Sequence, residues 1–87
     1  KSPVILTAAG DAITGNWKVS TVRCVTGANS GTFVLLDAAG GRKIAQSRAL
    51  NANDSEDLGQ IGGTRGWIDG LYVDTIPTAG EVHVYYE

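Results

Sequence analysis

The sequence predicts an all-β fold, a small antiparallel β-sandwich of about seven or eight short strands, of which a jelly roll is one form. Three observations predict it. Apolar and polar residues alternate with period two in several segments, which is the pattern of half-buried strands. Clusters of Gly, Asn, Asp and Pro interrupt the chain about every eight to twelve residues. No window sustains the periodicity of an amphipathic helix. The 87 residues make a single domain, residues 1–87, with no internal repeat and no linker.

Residues 1–15 open on the apolar run Pro3-Val-Ile-Leu-Thr7. A turn over Ala8-Ala-Gly-Asp11 follows, then a second short strand over Ala12-Ile-Thr14. The segment is expected to be either an edge strand or an N-terminal arm lying on a neighbouring subunit. An apolar arm left unpaired promotes association, so Val4, Ile5 and Leu6 are candidate partner contacts.

Residues 17–25 form the next expected strand. Trp17 and Val19 share one phase, Val22 and Cys24 the opposite one, which requires a bulge or bend near Ser20 and Thr21. Residues 26–31 read as a loop. Residues 32–36 are apolar on both faces and suit a central strand. Residues 37–41 are a hairpin connection whose glycines supply the positive φ that such turns demand. Residues 42–50 pair back, with Ile44 and Leu50 facing in and Lys43, Ser47 and Arg48 wet.

Residues 51–57 are the most polar stretch and read as an exposed loop. A short strand over residues 58–61 and a Gly-rich link over 62–66 lead into the last segment. There, two strands are joined by a turn at residues 77–80 and are expected to form a hairpin. Trp67, Leu71 and Val73 are expected on the core face of the first strand. Val82, Val84 and Tyr86 take the core face of the second, leaving His83 and Tyr85 outside.

Composition excludes several classes of function. The net charge of −2 and the absence of a basic tract argue against general affinity for nucleic acid or anionic membrane. No apolar run approaches the ~20 residues of a spanning helix. The single cysteine, Cys24, cannot form an internal disulfide, and its apolar neighbours mark it as a small buried hydrophobe. With no methionine in the chain, residue 1 is not expected to be a translation start, so a processed or trimmed product is expected.

Nothing in the chain forms a catalytic constellation, and no enzymatic activity is expected. The single histidine, His83, alternates with valines on a strand and has no nucleophile or third partner in sequence reach. Residues 51–57 gather oxygen ligands but lack the glycine and late glutamate of a calcium loop, so no metal is expected. The Asn53-Asp-Ser55 tripeptide matches a glycosylation acceptor, a pattern common by chance. Residues 59–66 hold four glycines but open no helix, so no phosphate cradle and no cofactor site are expected. The aromatics Trp17, Trp67, Tyr72, Tyr85 and Tyr86 remain. Exposed together they could stack on sugar rings, the mark of a small carbohydrate-binding or adhesion module. Tyr72, Tyr85 and His83 equally suit contacts to a protein partner.

The order of features resembles that of short structural proteins of tailed bacteriophages. It opens on Val4-Ile-Leu-Thr-Ala-Ala-Gly-Asp11, then Ile13-Thr-Gly15 leads into Trp17-Lys-Val19. Gly31-Thr-Phe-Val-Leu-Leu-Asp-Ala-Ala-Gly-Gly-Arg42 follows, and Gly70-Leu-Tyr-Val-Asp-Thr-Ile76, a turn and Val82-His-Val-Tyr-Tyr86 close it. The resemblance is one of pattern over most of the chain, least over residues 43–65. It implies a virion component that decorates the head or joins another shell protein, a homo-oligomer with a trimer as the implied form. It carries over no catalytic residue.

Overall fold

The computed structural model describes residues 3–59, 61 and 67–87. Seven strands run through them: β1 (Val4–Leu6), β2 (Ala12–Val25), β3 (Val34–Leu36), β4 (Lys43–Gln46), β5 (Ser55–Gly59), β6 (Trp67–Thr75) and β7 (Glu81–Tyr86). Every pairing is antiparallel, and no helix occurs among the described residues. The fold is the small all-β sandwich that the period-two patterns predict.

The 14 residues of β2 serve both layers. From Ala12 to Lys18 it pairs with β6 in a layer ordered β2-β6-β3-β4. From Val19 to Val25 it pairs with β7, and from Val22 to Val25 also with β5, in a layer that ends on β1 beyond β7. The change of phase predicted near Ser20 is present. The β2–β7 register shifts between Val19 and Thr21, and Val19, Val22 and Cys24 are all fully buried. Without that extra residue, one half of β2 would turn its apolar side chains to water.

The first layer contributes Leu6, Val19, Val22, Cys24, Val82 and Val84 to the core. The second contributes Ile13, Leu35, Ile68, Leu71 and Val73, with Phe33 and Leu50 closing one end. β3 and β4 form the predicted hairpin across residues 37–41. Asp37 and Arg42 are joined there by two bonds, Asp37 N–H to the Arg42 carbonyl and Arg42 N–H to Asp37 Oδ1, each 2.9 Å.

Several expectations change, and the two strands expected over 12–14 and 17–25 are one, β2. The segments β6 and β7 are not a hairpin but lie in different layers, on either side of β2. Residues 76–80 arch across the end of the sandwich, and buried Pro77 accepts the Gly80 N–H at 2.9 Å. Trp67 is 53% exposed, while Ile68, Leu71 and Val73 face inward. Gly70 causes this. It has a φ of +98°, and the β2–β6 register is interrupted there, so positions before and after it point inward on different counts.

Ser47 is buried instead of wet. Its hydroxyl accepts the Phe33 N–H at 2.9 Å and donates to the Arg48 carbonyl at 2.8 Å, which extends the β3–β4 pairing past the last strand residue. Ser55, Glu56 and Asp57 belong to β5, not to a loop. The open edge of β2 takes them as a partner, and Arg23 lies 3.8 Å from Asp57 and donates to Ser55 Oγ at 3.1 Å. The strand expected over 58–61 thus begins earlier. Gln60 and the Gly-rich link of residues 62–66 lie outside the described residues.

Phe33→Ala should cost about 3–5 kcal/mol of unfolding free energy, and Trp67→Ala within about 1 kcal/mol. Urea denaturation of the two variants checks this. Equal losses would return Trp67 to the core.

Candidate functional site

The partner residues read from the sequence fall on two different layers. In the first layer, alternation sets Val82 and Val84 inward, so His83 and Tyr85 face out. Ile5 stands directly opposite His83, His83 opposite Arg23, and Arg23 opposite Asp57. One transverse row therefore crosses all four strands, with Tyr85 and Thr21 beside it. Ile5 is 48% exposed. The same alternation turns Val4 and Leu6 away from this face: they stand opposite Val84 and Val82, and Leu6 is buried in the core. Of Val4, Ile5 and Leu6, only Ile5 is exposed.

The polar members of this face are already engaged. His83 Nε2 lies 2.8 Å from Glu81 Oε1, and Arg23 is held by Ser55 and Asp57. Beyond β1 no further strand pairs among the described residues, so its outer backbone edge is open. The expected arm is in this structure an edge strand, held to β7 over its three residues.

Tyr72 lies in the other layer, on β6, opposite Ala12 and Leu36. It is half-buried and lines a cleft of about 390 Å³ with residues 12–15 of β2, residues 37–39 of the β3–β4 turn and residues 69–71. A second cleft of about 330 Å³ adjoins it, lined by Asp37, Arg42, Ile44, Trp67, Ile68, Asp69 and Gly70. Asp37, Asp69 and Gly70 are common to both, so the two meet over Gly70, where two residues of β2, Thr14 and Gly15, stand against one of β6. Glycine is required at that point: a Cβ on residue 70 would lie 2.9 Å from the Asp37 carbonyl oxygen.

The sequence reading misplaced Trp67 in the core and so missed this groove. The signal was available in Gly70, a glycine inside a strand pattern, which marks a bulge. The remaining aromatics pack together, the Trp17 and Tyr86 rings meeting edge to face with centroids 4.7 Å apart.

Residues 51–54 form a tie between loops. Thr26 Oγ1 donates to the Asn51 carbonyl at 2.6 Å and accepts the Asp54 N–H at 2.8 Å, while Asp54 Oδ2 lies 3.6 Å from Arg48. Among the described residues, no group of three or more His, Cys, Asp or Glu is placed to hold a metal ion. Cys24 is buried, and its thiol is pushed up to about 12 by burial first and by the neighbouring Glu56 charge second, so it stays a neutral, unreactive thiol. No family model, curated protein or solved structure matches this chain.

The thiol makes a pH-dependent contribution. Above the ordinary value of 9.0 the unfolded thiol ionises and the buried one does not, which favours unfolding. The parent's unfolding free energy should therefore fall more steeply than that of Cys24→Ala as pH rises from 9.0 towards about 12, and the two curves should run parallel below 9.0. Parallel curves throughout would place the native thiol in water.

Proposed function

We propose that this chain is a non-enzymatic structural protein that works by binding other protein surfaces. It acts as a component of a phage particle, seated on capsid subunits that it decorates and stabilises. The observation that carries this is the open backbone edge of β1, with Ile5 exposed beside it and His83 and Tyr85 on the same outer face. An open edge offers unpaired N–H and C=O groups to an added strand, and the side chains of that face then choose the partner. Ile5 and Tyr85 supply apolar and aromatic contact, while the Arg23–Asp57 ion pair and the His83–Glu81 contact give the rim a fixed polar pattern. The all-β sandwich is the fold that the resemblance to phage structural proteins implies. The same edge admits a second copy of the chain, and an oligomer, with a trimer as the form the resemblance implies, places several such edges on one shell.

Co-sedimentation with empty shells, assembled from the capsid protein encoded with this chain, tests the proposal. The parent should sediment with assembled shells and bind free capsid subunits weakly or not at all. Ile5→Lys sets a charge on the edge without touching the core. It should melt close to the parent and lose about tenfold or more in shell affinity. Failure of the parent to bind shells, or undiminished binding by Ile5→Lys, would overturn the proposal.

A further inference from the structure

We infer that the groove over Gly70 of β6, running from Trp67 to Tyr72 past Asp69 and Arg42, is a binding site for a neutral oligosaccharide. This site lies in the other layer from the β1 edge and stands whether or not the chain seats on a shell.

Trp67 begins the inference. Among the described residues only two large apolar side chains are left in water, and Ile5 is explained by its edge. Trp67 faces out although the inward positions beside it are filled by Ile68 and Leu71, so the core does not require it. It sits at the wall of a cleft, and Tyr72 lines the adjoining one, about 15 Å further along the strand. Two aromatic rings at that spacing suit a chain of several sugar rings. The C–H-rich face of each ring is drawn to the negative face of an aromatic one.

The free polar groups supply a second, independent observation. Elsewhere in the described residues arginines are engaged: Arg23 by Asp57 and Ser55, Arg48 by Asp54 and Glu56. Arg42 has no side-chain partner among the described residues, nor have Asp69, the Trp67 indole N–H or the Tyr72 hydroxyl. All four line the groove. They provide donors and an acceptor, the set that reads neighbouring hydroxyls on a sugar. A few placed polar groups in an otherwise apolar cleft of several hundred Å³ describe a small-ligand site.

The same features disfavour other occupants. With Asp37 and Asp69 against Arg42, the groove carries no positive excess for a phosphate or a nucleic acid. A peptide cannot add as a strand here, because β6 is paired on both sides, with β2 and β3.

Affinity electrophoresis of the chain through gels containing neutral polysaccharides (xylan, glucomannan, dextran, soluble chitin) tests the inference, with a neutral glycan array beside it. At least one member should retard the parent or capture it. Trp67→Ala should weaken that binding about thirtyfold or more, and Asp69→Ala and Arg42→Ala about tenfold each. Trp67→Phe, which keeps a smaller ring, should retain part of it, and Ile5→Lys and Tyr85→Ala in the other layer should leave it unchanged. The inference is overturned if no member binds, or if Trp67→Ala binds like the parent. It is equally overturned if the groove is covered by protein instead, shown by Trp67→Ala abolishing self-association or the binding of a proline-rich peptide.

Discussion

Most of this structure depends on one strand that is too long for one layer. A small sandwich must close two apolar faces on each other, and here β2 belongs to both of them. Its continuity fixes how the layers sit, because the N-terminal half sets β6 and the C-terminal half sets β7 and β5. Two irregularities make this workable, one against β6 between Ile13 and Asn16 and one against β7 between Val19 and Thr21. Each inserts backbone without a matching residue opposite, which bends the strand and resets which side chains face inward. Val19 and Val22 can then both be buried although an unbroken strand would set them on opposite faces.

The parts of the fold that were legible in the sequence are those decided by neighbours within a few residues. The bend near Ser20 could be read because Val19 and Val22 cannot both be buried on an unbroken strand. The β3–β4 hairpin could be read because residues 37–41 hold the glycines and aspartate that a short turn needs. Decisions made by distant residues were not legible. The turn after Ile76 has hairpin chemistry, yet β2 occupies the edges that β6 and β7 would have offered each other. Ser55 to Asp57 look like loop residues until the Arg23 guanidinium and the open β2 edge are set beside them. Ser47 looks wet until the Phe33 amide stands over its hydroxyl. The candidate sites divide in the same way. Alternation alone put His83 and Tyr85 on an outer face. Trp67 was lost to the core by counting through Gly70 as though the strand were regular.

That glycine links fold and surface. At Gly70 the β6 backbone comes so close to the Asp37 carbonyl that a Cβ has no room, and its positive φ disfavours other residues independently. The bulge brings the β3–β4 turn beside β6 and opens the clefts on either side of the contact. It also turns Trp67 outward. An exposed indole forfeits the stabilisation that burial of its apolar surface would give. The bulge therefore gives up some core burial and produces a groove.

The two surfaces differ in how their polar groups are treated, and this bears on what each can bind. On the first layer His83 and Arg23 have partners within the protein, leaving the unpaired backbone edge, exposed Ile5 and half-buried Tyr85. Such a surface favours another protein, which can complete the sheet and cover apolar area while the charges stay paired. In the groove the arrangement is reversed. The backbone of β6 is paired on both sides, whereas Arg42, Asp69 and the Trp67 N–H keep their hydrogen-bonding capacity free of one another. A ligand rich in hydroxyls can meet those groups one by one, and a protein strand cannot. One small sandwich thus presents two surfaces of different chemistry, because a single bent strand holds two layers whose edges and side chains are satisfied in opposite ways.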